Sequence, residues 1–334
     1  MRKHIFKTFD SETIVAAFII LTALILASCA KNALREAKYA PNETDKNMEA
    51  HFCPREDCGS SLAEKIMSAN SSVYCAFYDL NLDNVIKALA KRSNDIDVKL
   101  VMDESNYKEQ AKGDGIKLDI ERHLMHDKFC VIDDEIVTTG SFNPTFNDNM
   151  RNNNNIIIVY SKALAKNYGD EFNELWDGKF GSGNKVENPA IYVNGIKIEN
   201  YFCPEDSCES RIAPLIKGAK QSIYFMAFSF TSQKIADEIM KKENLEVRGI
   251  FDSQQTSNSY SQYKRMKDFK VNVKKDSNKY KMHHKVFIID NETVVTGSTN
   301  PTYSGFESND ENIIIIHDAN FTKKFMEEFD LLWN

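Results

Sequence analysis

Two short stretches of this chain set a histidine and a lysine two residues apart: His126 with Lys128, and His283 with Lys285. On an extended strand such residues project from the same face, so each stretch puts a titratable imidazole beside a fixed cation. The surroundings repeat with identical spacing. After each lysine, four residues intervene before an aspartate (Asp133, Asp290), and six more before Gly-Ser-x-Asn: Gly140, Ser141 and Asn143, then Gly297, Ser298 and Asn300. The glycine lets backbone approach closely, and Ser and Asn add neutral donors. Cations and donors for non-bridging oxygens, with imidazoles to attack and to carry a proton, suit a phosphate. A lone His-x-Lys reads better as a solvated edge strand. The full pattern occurring twice does not. Asp133 and Asp290 complete the pattern, but alternation puts them on the strand face opposite the lysine. They are read as holding the following loop rather than as reacting groups.

The elements that position these residues also come in two copies. Phe52-Cys53-Pro54 with Cys58 reappears as Phe202-Cys203-Pro204 with Cys208, and Met125 to Thr145 matches Met282 to Thr302 at 13 of 21 positions. The closing helices correspond as well: Leu164, Tyr168, Phe172, Leu175 and Trp176 against Phe321, Phe325, Phe329, Leu332 and Trp333. So long a period indicates duplicated domains rather than a solenoid. Each copy reads as a helix, a β-branched and aromatic strand (Val73 to Tyr78; Ile223 to Phe230), a short helix, and a buried strand ending at Asp103 or Asp252. Two apolar strands follow each histidine, then a further strand and the closing helix. Asp103 and Asp252 are expected in turns or as caps. Strands alternating with helices imply an α/β sheet covered on both faces. The alternating stretch Ile191 to Ile198 about Asn194-Gly195 predicts a hairpin.

Composition sets limits on partners. The chain has 334 residues, 42% of them hydrophobic and 27% charged, with a net charge of −7. Three cations and two acids give the first 28 residues a net +1, so the remainder carries about −8. That weighs against a broad basic face gripping nucleic acid but leaves room for a small basic pocket.

The paired motifs resemble the HKD motif of the phospholipase D superfamily, from about His51 to Asn334. Met282-His283-His284-Lys285 through Gly297-Ser298-Thr299-Asn300, with Asn309-Asp310-Glu311-Asn312, is most similar to the small members: the bacterial endonucleases and the mitochondrial cardiolipin hydrolase (Zucchini) group. Those carry one motif and dimerise; here one chain supplies both halves. The resemblance implies two α/β domains, each a mixed sheet flanked by helices, about a pseudo-two-fold axis with the motifs facing each other. It also implies no metal and no cofactor, a phosphohistidine intermediate, a second histidine protonating the leaving oxygen, and substrate contacts from Ser141, Asn143, Ser298, Asn300 and Glu311. The sequence agrees about metal, because no carboxylate cluster accompanies the motifs and the lysines can supply the charge. The small members carry a Glu fourteen residues after the motif glycine. Glu311 fills that place in the second copy, and Asn154 stands there in the first. By the same resemblance Glu311 reaches across to His126, which is the expected nucleophile, while His283 faces Asn154 and is the expected general acid.

At the N-terminus, Arg2, Lys3 and Lys7 precede an apolar run from Ile14 to Ala27 that ends Leu26-Ala27-Ser28-Cys29. This is an export signal, and its end resembles a bacterial-type lipobox with Cys29 as the acylated residue. An uncleaved anchor helix is the alternative. The expected organisation is a targeting segment over 1–28, a tether over 29–50, a first domain over 51–178, a linker with hairpin over 179–200 and a second domain over 201–334. In an exported chain Cys53–Cys58 and Cys203–Cys208 read as local disulfides. A zinc site, as in cardiolipin hydrolase relatives, is the competitor, but two ligands per copy are too few for a closed site. Cys75 and Cys130, in strands where the other copy has Phe225 and Phe287, are expected as core thiols.

The functional expectation is a monomeric phosphodiester hydrolase, membrane-anchored outside the cytoplasm and acting as a nuclease on DNA or RNA. The alternative is a phospholipase D or cardiolipin-type hydrolase. A phosphate-binding surface protein with decayed motifs is disfavoured by two intact motifs.

Overall fold

Every strand of one copy has a counterpart in the other. The computed structural model describes residues 40–109 and 113–334, together with Ile19, Ile20 and Thr22, which are helical. Cys29 and most of the expected leader lie outside the described residues. No helix among the described residues is long and apolar enough to cross a membrane. Residues Asn42–Asn334 form one unit.

The chain enters this unit through β1 (Asn42–Glu43). The first copy then runs β2 (Met48–Cys53), α1 (Cys58–Ser68), β3 (Ser72–Phe77), α2 (Asp83–Arg92), β4 (Asp97–Asp103), β5 (Ile116–Asp119), β6 (Lys128–Ile132), β7 (Ile136–Gly140), α3 (Phe146–Met150), β8 (Asn154–Tyr160) and α4 (Lys162–Trp176). After β9 (Ala190–Val193), the second copy repeats the order with a further helix before its fourth strand. It comprises β10 (Ile196–Cys203), α5 (Cys208–Gly218), β11 (Ser222–Ala227), α6 (Gln233–Met240), β12 (Glu246–Phe251), α7 (Gln262–Asp268), β13 (Asn272–Lys275), β14 (Lys285–Ile289), β15 (Thr293–Gly297), α8 (Tyr303–Glu307), β16 (Glu311–His317) and α9 (Ala319–Trp333). The first sheet has the order β2-β8-β7-β6-β3-β4-β5, and the second is β10-β16-β15-β14-β11-β12-β13 extended at one edge by β9 and β1. In each, the three strands at one edge run parallel and the others antiparallel, except that β1 lies parallel to β9, giving two mixed sheets flanked by helices.

Local sequence accounts for these elements. Ser161 and Asp318 cap α4 and α9 by accepting the N–H groups of Leu164 and Phe321. The buried stripes Leu164, Tyr168, Phe172 and Phe321, Phe325, Phe329 follow helical spacing. These two helices join the halves. Tyr168 of α4 meets Phe202 edge-on at 5.0 Å, and Phe325 of α9 meets Phe52 at 5.0 Å, so one apolar core crosses from sheet to sheet. Each such ring contributes about 1.5–3 kcal/mol by burial.

Three expectations need correction. The tether expected over 29–50 is shorter: Asn42–Glu43 pairs with β9, and Met48–Cys53 pairs with β8 as an edge strand. Asn42–Glu43 is too short to show a pattern, and in Met48–Cys53 the core-facing alternation of Met48, Ala50 and Phe52 spans only three residues. The expected hairpin forms, but its second strand β10 runs on to Cys203 along β16, so it belongs to the second sheet rather than to a linker. Finally, Cys75 and Cys130 are not free thiols. They are direct cross-strand partners on β3 and β6, joined as a disulfide, in addition to Cys53–Cys58 and Cys203–Cys208. Their phenylalanine counterparts concealed the pairing.

Asp133 and Asp290 hold loops, as their strand face requires. Asp133 accepts the N–H groups of Asn70, Ser71 and Ser72, and Asp290 those of Lys220, Gln221 and Ser222. Partial burial opposes their charge, but these donors outweigh it and keep both carboxyls below their ordinary value. Replacing either by Ala should cost about 1–2 kcal/mol in denaturant unfolding, the low end for charge-assisted bonds because the group is partly solvated. With the folded-state pKa depressed, this contribution is complete above the unfolded-state value and is lost as pH falls through the folded-state one. Equal stability of Asp133→Ala and the parent at neutral pH would refute the role.

Candidate active site

The two motifs meet where the halves cross. His126 N–H donates to Asp310 O at 2.9 Å, and Asp310 N–H to Leu124 O at 3.0 Å; the mirror contacts are His283 N–H to Asn153 O at 2.8 Å and Asn153 N–H to Lys281 O at 2.9 Å. Each histidine is thereby set against the segment that follows the other copy's motif. The residue between His and Lys faces the opposite way, into the interface. Asn312 Nδ2 donates to Asp127 Oδ1 at 2.5 Å, and Asn155 Nδ2 lies 3.0 Å from His284 Nδ1.

At the centre lie His126, His283, Lys128 and Lys285, all buried. Lys285 Nζ donates to His283 O at 2.8 Å, and Lys128 Nζ likewise to His126 O. Tyr78 packs edge-on to His126 at 4.7 Å and Phe228 to His283 at 4.8 Å, so matching aromatic rings wall both imidazoles. His283 Nδ1 lies 2.8 Å from Asn154 Oδ1, which also accepts the Ser141 hydroxyl at 3.1 Å. His126 Nδ1 lies 2.8 Å from Glu311 Oε1, a close ion-pair contact not aligned as a hydrogen bond. In both rings Nδ1 faces the opposite copy, and Nε2 has no hydrogen-bond partner among the described residues.

The motif glycines have a clear reason. Gly140 (φ +139°) and Gly297 (φ +142°) sit where an added Cβ would come within 2.5 Å of Asn155 O and 2.2 Å of Asn312 O. Ser141 and Ser298, expected as donors to substrate, are instead fully enclosed. Their hydroxyls accept the N–H of Asn155 and Asn312 and serve the groups behind the imidazoles. Asn143 is likewise engaged, its Nδ2 donating to Asp148 at 2.8 Å. Asn143 and Asn300 each keep an unpartnered Oδ1. Asp103 and Asp252 are caps, accepting N–H groups of Ser105 and of Gln254 and Gln255.

A family model described as cardiolipin synthase, PLD-like domain, matches the chain twice, over residues 62–176 and 212–333. The chain belongs to the phospholipase D-like family. It is 35% identical over 136 residues to the mitochondrial cardiolipin hydrolase of Xenopus laevis, covering 39% of this chain and 65% of that protein. It is 29% identical over 135 residues to the phospholipase D of Rickettsia conorii, covering 40% and 68%. The chain thus spans just under two thirds of the cardiolipin hydrolase it matches. In fold it is similar to phosphatidylserine synthase of Haemophilus influenzae, with a TM-score of 0.65 over 89% of this chain and 88% of that one, at 11% identity.

In this phospholipase D-like site burial and crowded cations dominate the electrostatics. Burial, then Lys128 and Lys285, push His126 well below the ordinary imidazole value, while Asp148 pulls the other way. Burial, then Lys285, Lys128, His126 and Lys281, do the same to His283. Burial brings Lys128 down to about 8 despite nearby carboxylates, and burial with Lys128 takes Lys285 well below its ordinary value. Glu311 is pushed up to about 8 by burial, against the pull of Lys128 and Ser298. Three site residues escaped the sequence reading. Tyr78 and Phe228 could have been found, since both follow matching strands at the repeat offset of 150. Asp148, with Oδ2 3.6 Å from His283 Nδ1, has no counterpart in the second copy and left no repeat signal.

Removing one cation should relieve both rings. In Lys285→Met, NMR titration should show His126 and His283 protonating at higher pH than in the parent, because each loses a repelling charge. Unchanged titrations would contradict a shared cationic centre.

Proposed function

We propose that this chain is a phosphodiester hydrolase working through phosphohistidine, and that its substrate is single-stranded nucleic acid. Nε2 of His126 attacks phosphorus, the bond to the leaving oxygen breaks, and His283, protonated at Nε2, gives that oxygen its proton. Neutral His283 then takes a proton from water as the water attacks phosphorus. The P–N bond breaks and His126 is regenerated. Lys128 and Lys285 carry the charge on the non-bridging oxygens. Glu311, close to Nδ1 of His126, compensates the cation that phosphorylation creates there.

The observation that carries the nucleic-acid reading is the rim beside His283. The Arg151 guanidinium lies 5.1 Å from the ring centroids of both Phe146 and Tyr280, one from each copy, with Lys279 5.2 Å from Tyr280 and Lys281 5.4 Å from Phe228. Phe146 is 51% exposed and Tyr280 36%. Stacked aromatic and guanidinium planes interleaved with lysines are what unpaired bases and their phosphates require. The strip is narrow enough to sit on an acidic body. A phospholipid headgroup is the second reading, favoured by the likeness to proteins named cardiolipin hydrolase and phospholipase D. The apolar leader and three disulfides support export, and both motifs in one chain support a monomer.

The test incubates the protein with labelled single-stranded DNA, RNA and cardiolipin vesicles, all with chelator present. Cleavage of a nucleic acid is expected, with Arg151→Ala raising its KM about tenfold, the worth of roughly one stacked base. Hydrolysis of vesicles alone would replace the nuclease reading with the lipid one. Activity abolished by chelator and restored by magnesium would overturn the lysine-based mechanism.

A further inference from the structure

Each copy places one carboxylate within 4 Å of Nδ1 of the opposite histidine, at different places in the repeat, and Asp148 also favours the proton on His126. Fourteen residues after the motif glycine the second copy has Glu311 and the first Asn154; six residues earlier the first copy has Asp148 and the second Gly305. Glu311 starts β16 and reaches His126. Asp148 belongs to α3 of the first copy, and its Oδ2 lies 3.6 Å from Nδ1 of His283 in the second. Asp148 is 4% exposed and held on both oxygens. Asn143 N–H and Nδ2 donate to Oδ2 at 2.9 and 2.8 Å, and Asn152 Nδ2 donates to Oδ1 at 2.6 Å. The second copy has no room for the same device, since a Cβ at Gly305 would come 2.4 Å from Asn300 O.

His283 otherwise sits among groups that oppose its proton: Lys285, Lys128, His126 and Lys281. Phe228 covers its face and Asn154, which is neutral, takes Nδ1. A general acid in such surroundings needs a fixed negative charge, and Asn154 provides orientation without it. We propose that Asp148 is the positioning residue of His283, placing from α3 a carboxylate behind that ring where Glu311 of β16 stands behind His126. The carboxylate lost at position 154 is thus replaced at 148. This rests on the reading of His283 as proton donor, and the test separates the two.

The first measurement is NMR titration of His283 in the intact protein, which needs no activity. Asp148→Asn should move its protonation to lower pH, and Asp148→Asn/Asn154→Glu should move it back. The second is the single-turnover rate of phosphohistidine formation with two diesters, one with an alkyl leaving group and one with p-nitrophenolate, which leaves without a proton. Asp148→Asn should slow the alkyl substrate at least tenfold more than the p-nitrophenyl one, and the double variant should recover most of the loss. An unmoved His283 titration in Asp148→Asn, or equal slowing of both substrates, would overturn the role. If Asp148→Asn is too unstable to study, the double variant alone decides: His283 titrating as in the parent supports the proposal, and a downward shift contradicts it. A shifted titration in a protein that hydrolyses no phosphodiester would sink the hydrolase reading while leaving the Asp148–His283 coupling intact.

Discussion

Two lysine ammonium groups and two imidazoles are buried at one point, and the rest of the structure answers to that crowding. Each lysine is tied to the carbonyl of its own motif's histidine, so both cations stay with the rings they depress. Burial removes the water that would screen them. The resting centre is therefore short of negative charge: Asp148 lies behind one ring, and burial, which pushes Glu311 up to about 8, opposes its charge behind the other. Under the proposed function, an incoming phosphodiester would bring the anion that the centre lacks, and the phosphate held by the lysines would also favour a proton on His283.

The crossing of the halves makes this crowding possible. Paired backbone contacts at Met125 with Asp310 and at Asn153 with Met282 fix each motif against the other copy. The interlocked rings of Phe52, Phe325, Tyr168 and Phe202 hold the sheets together behind it. Duplication then frees the copies to diverge. Glu328, packed with Arg55 and His284, corresponds by repeat offset to Glu171, whose surroundings of Glu205 and Asp127 are acidic. The carboxylates behind the catalytic rings have diverged in the same manner.

The sequence showed the arrangement wherever it was duplicated. Identical spacing about His126 and His283, the matched closing helices and the Asn194-Gly195 hairpin were all readable, because repetition and periodicity are visible one residue at a time. What it hid depends on pairing between strands or on one copy alone. Cys75 and Cys130 are 55 residues apart and meet because β3 and β6 are neighbours. The edge strands near Asn42 and Met48 are short, and the second shows only the three-residue alternation Met48, Ala50 and Phe52. Asp148 reaches its histidine across the interface from a five-residue helix. Ser141 and Ser298, expected to touch substrate, are enclosed, with their hydroxyls bonded to Asn154, Asn155 and Asn312.

The assignment of roles follows from the tighter contact of Glu311 with His126, at 2.8 Å, against 3.6 Å between Asp148 and His283. A carboxylate at Nδ1 best stabilises the ring that becomes a phosphorylated cation. The most direct measurement is to quench the protein during turnover with a phosphorus-labelled diester and map the labelled residue by mass spectrometry. Phosphate on His126 is the expected result; phosphate on His283 with none on His126 would contradict it.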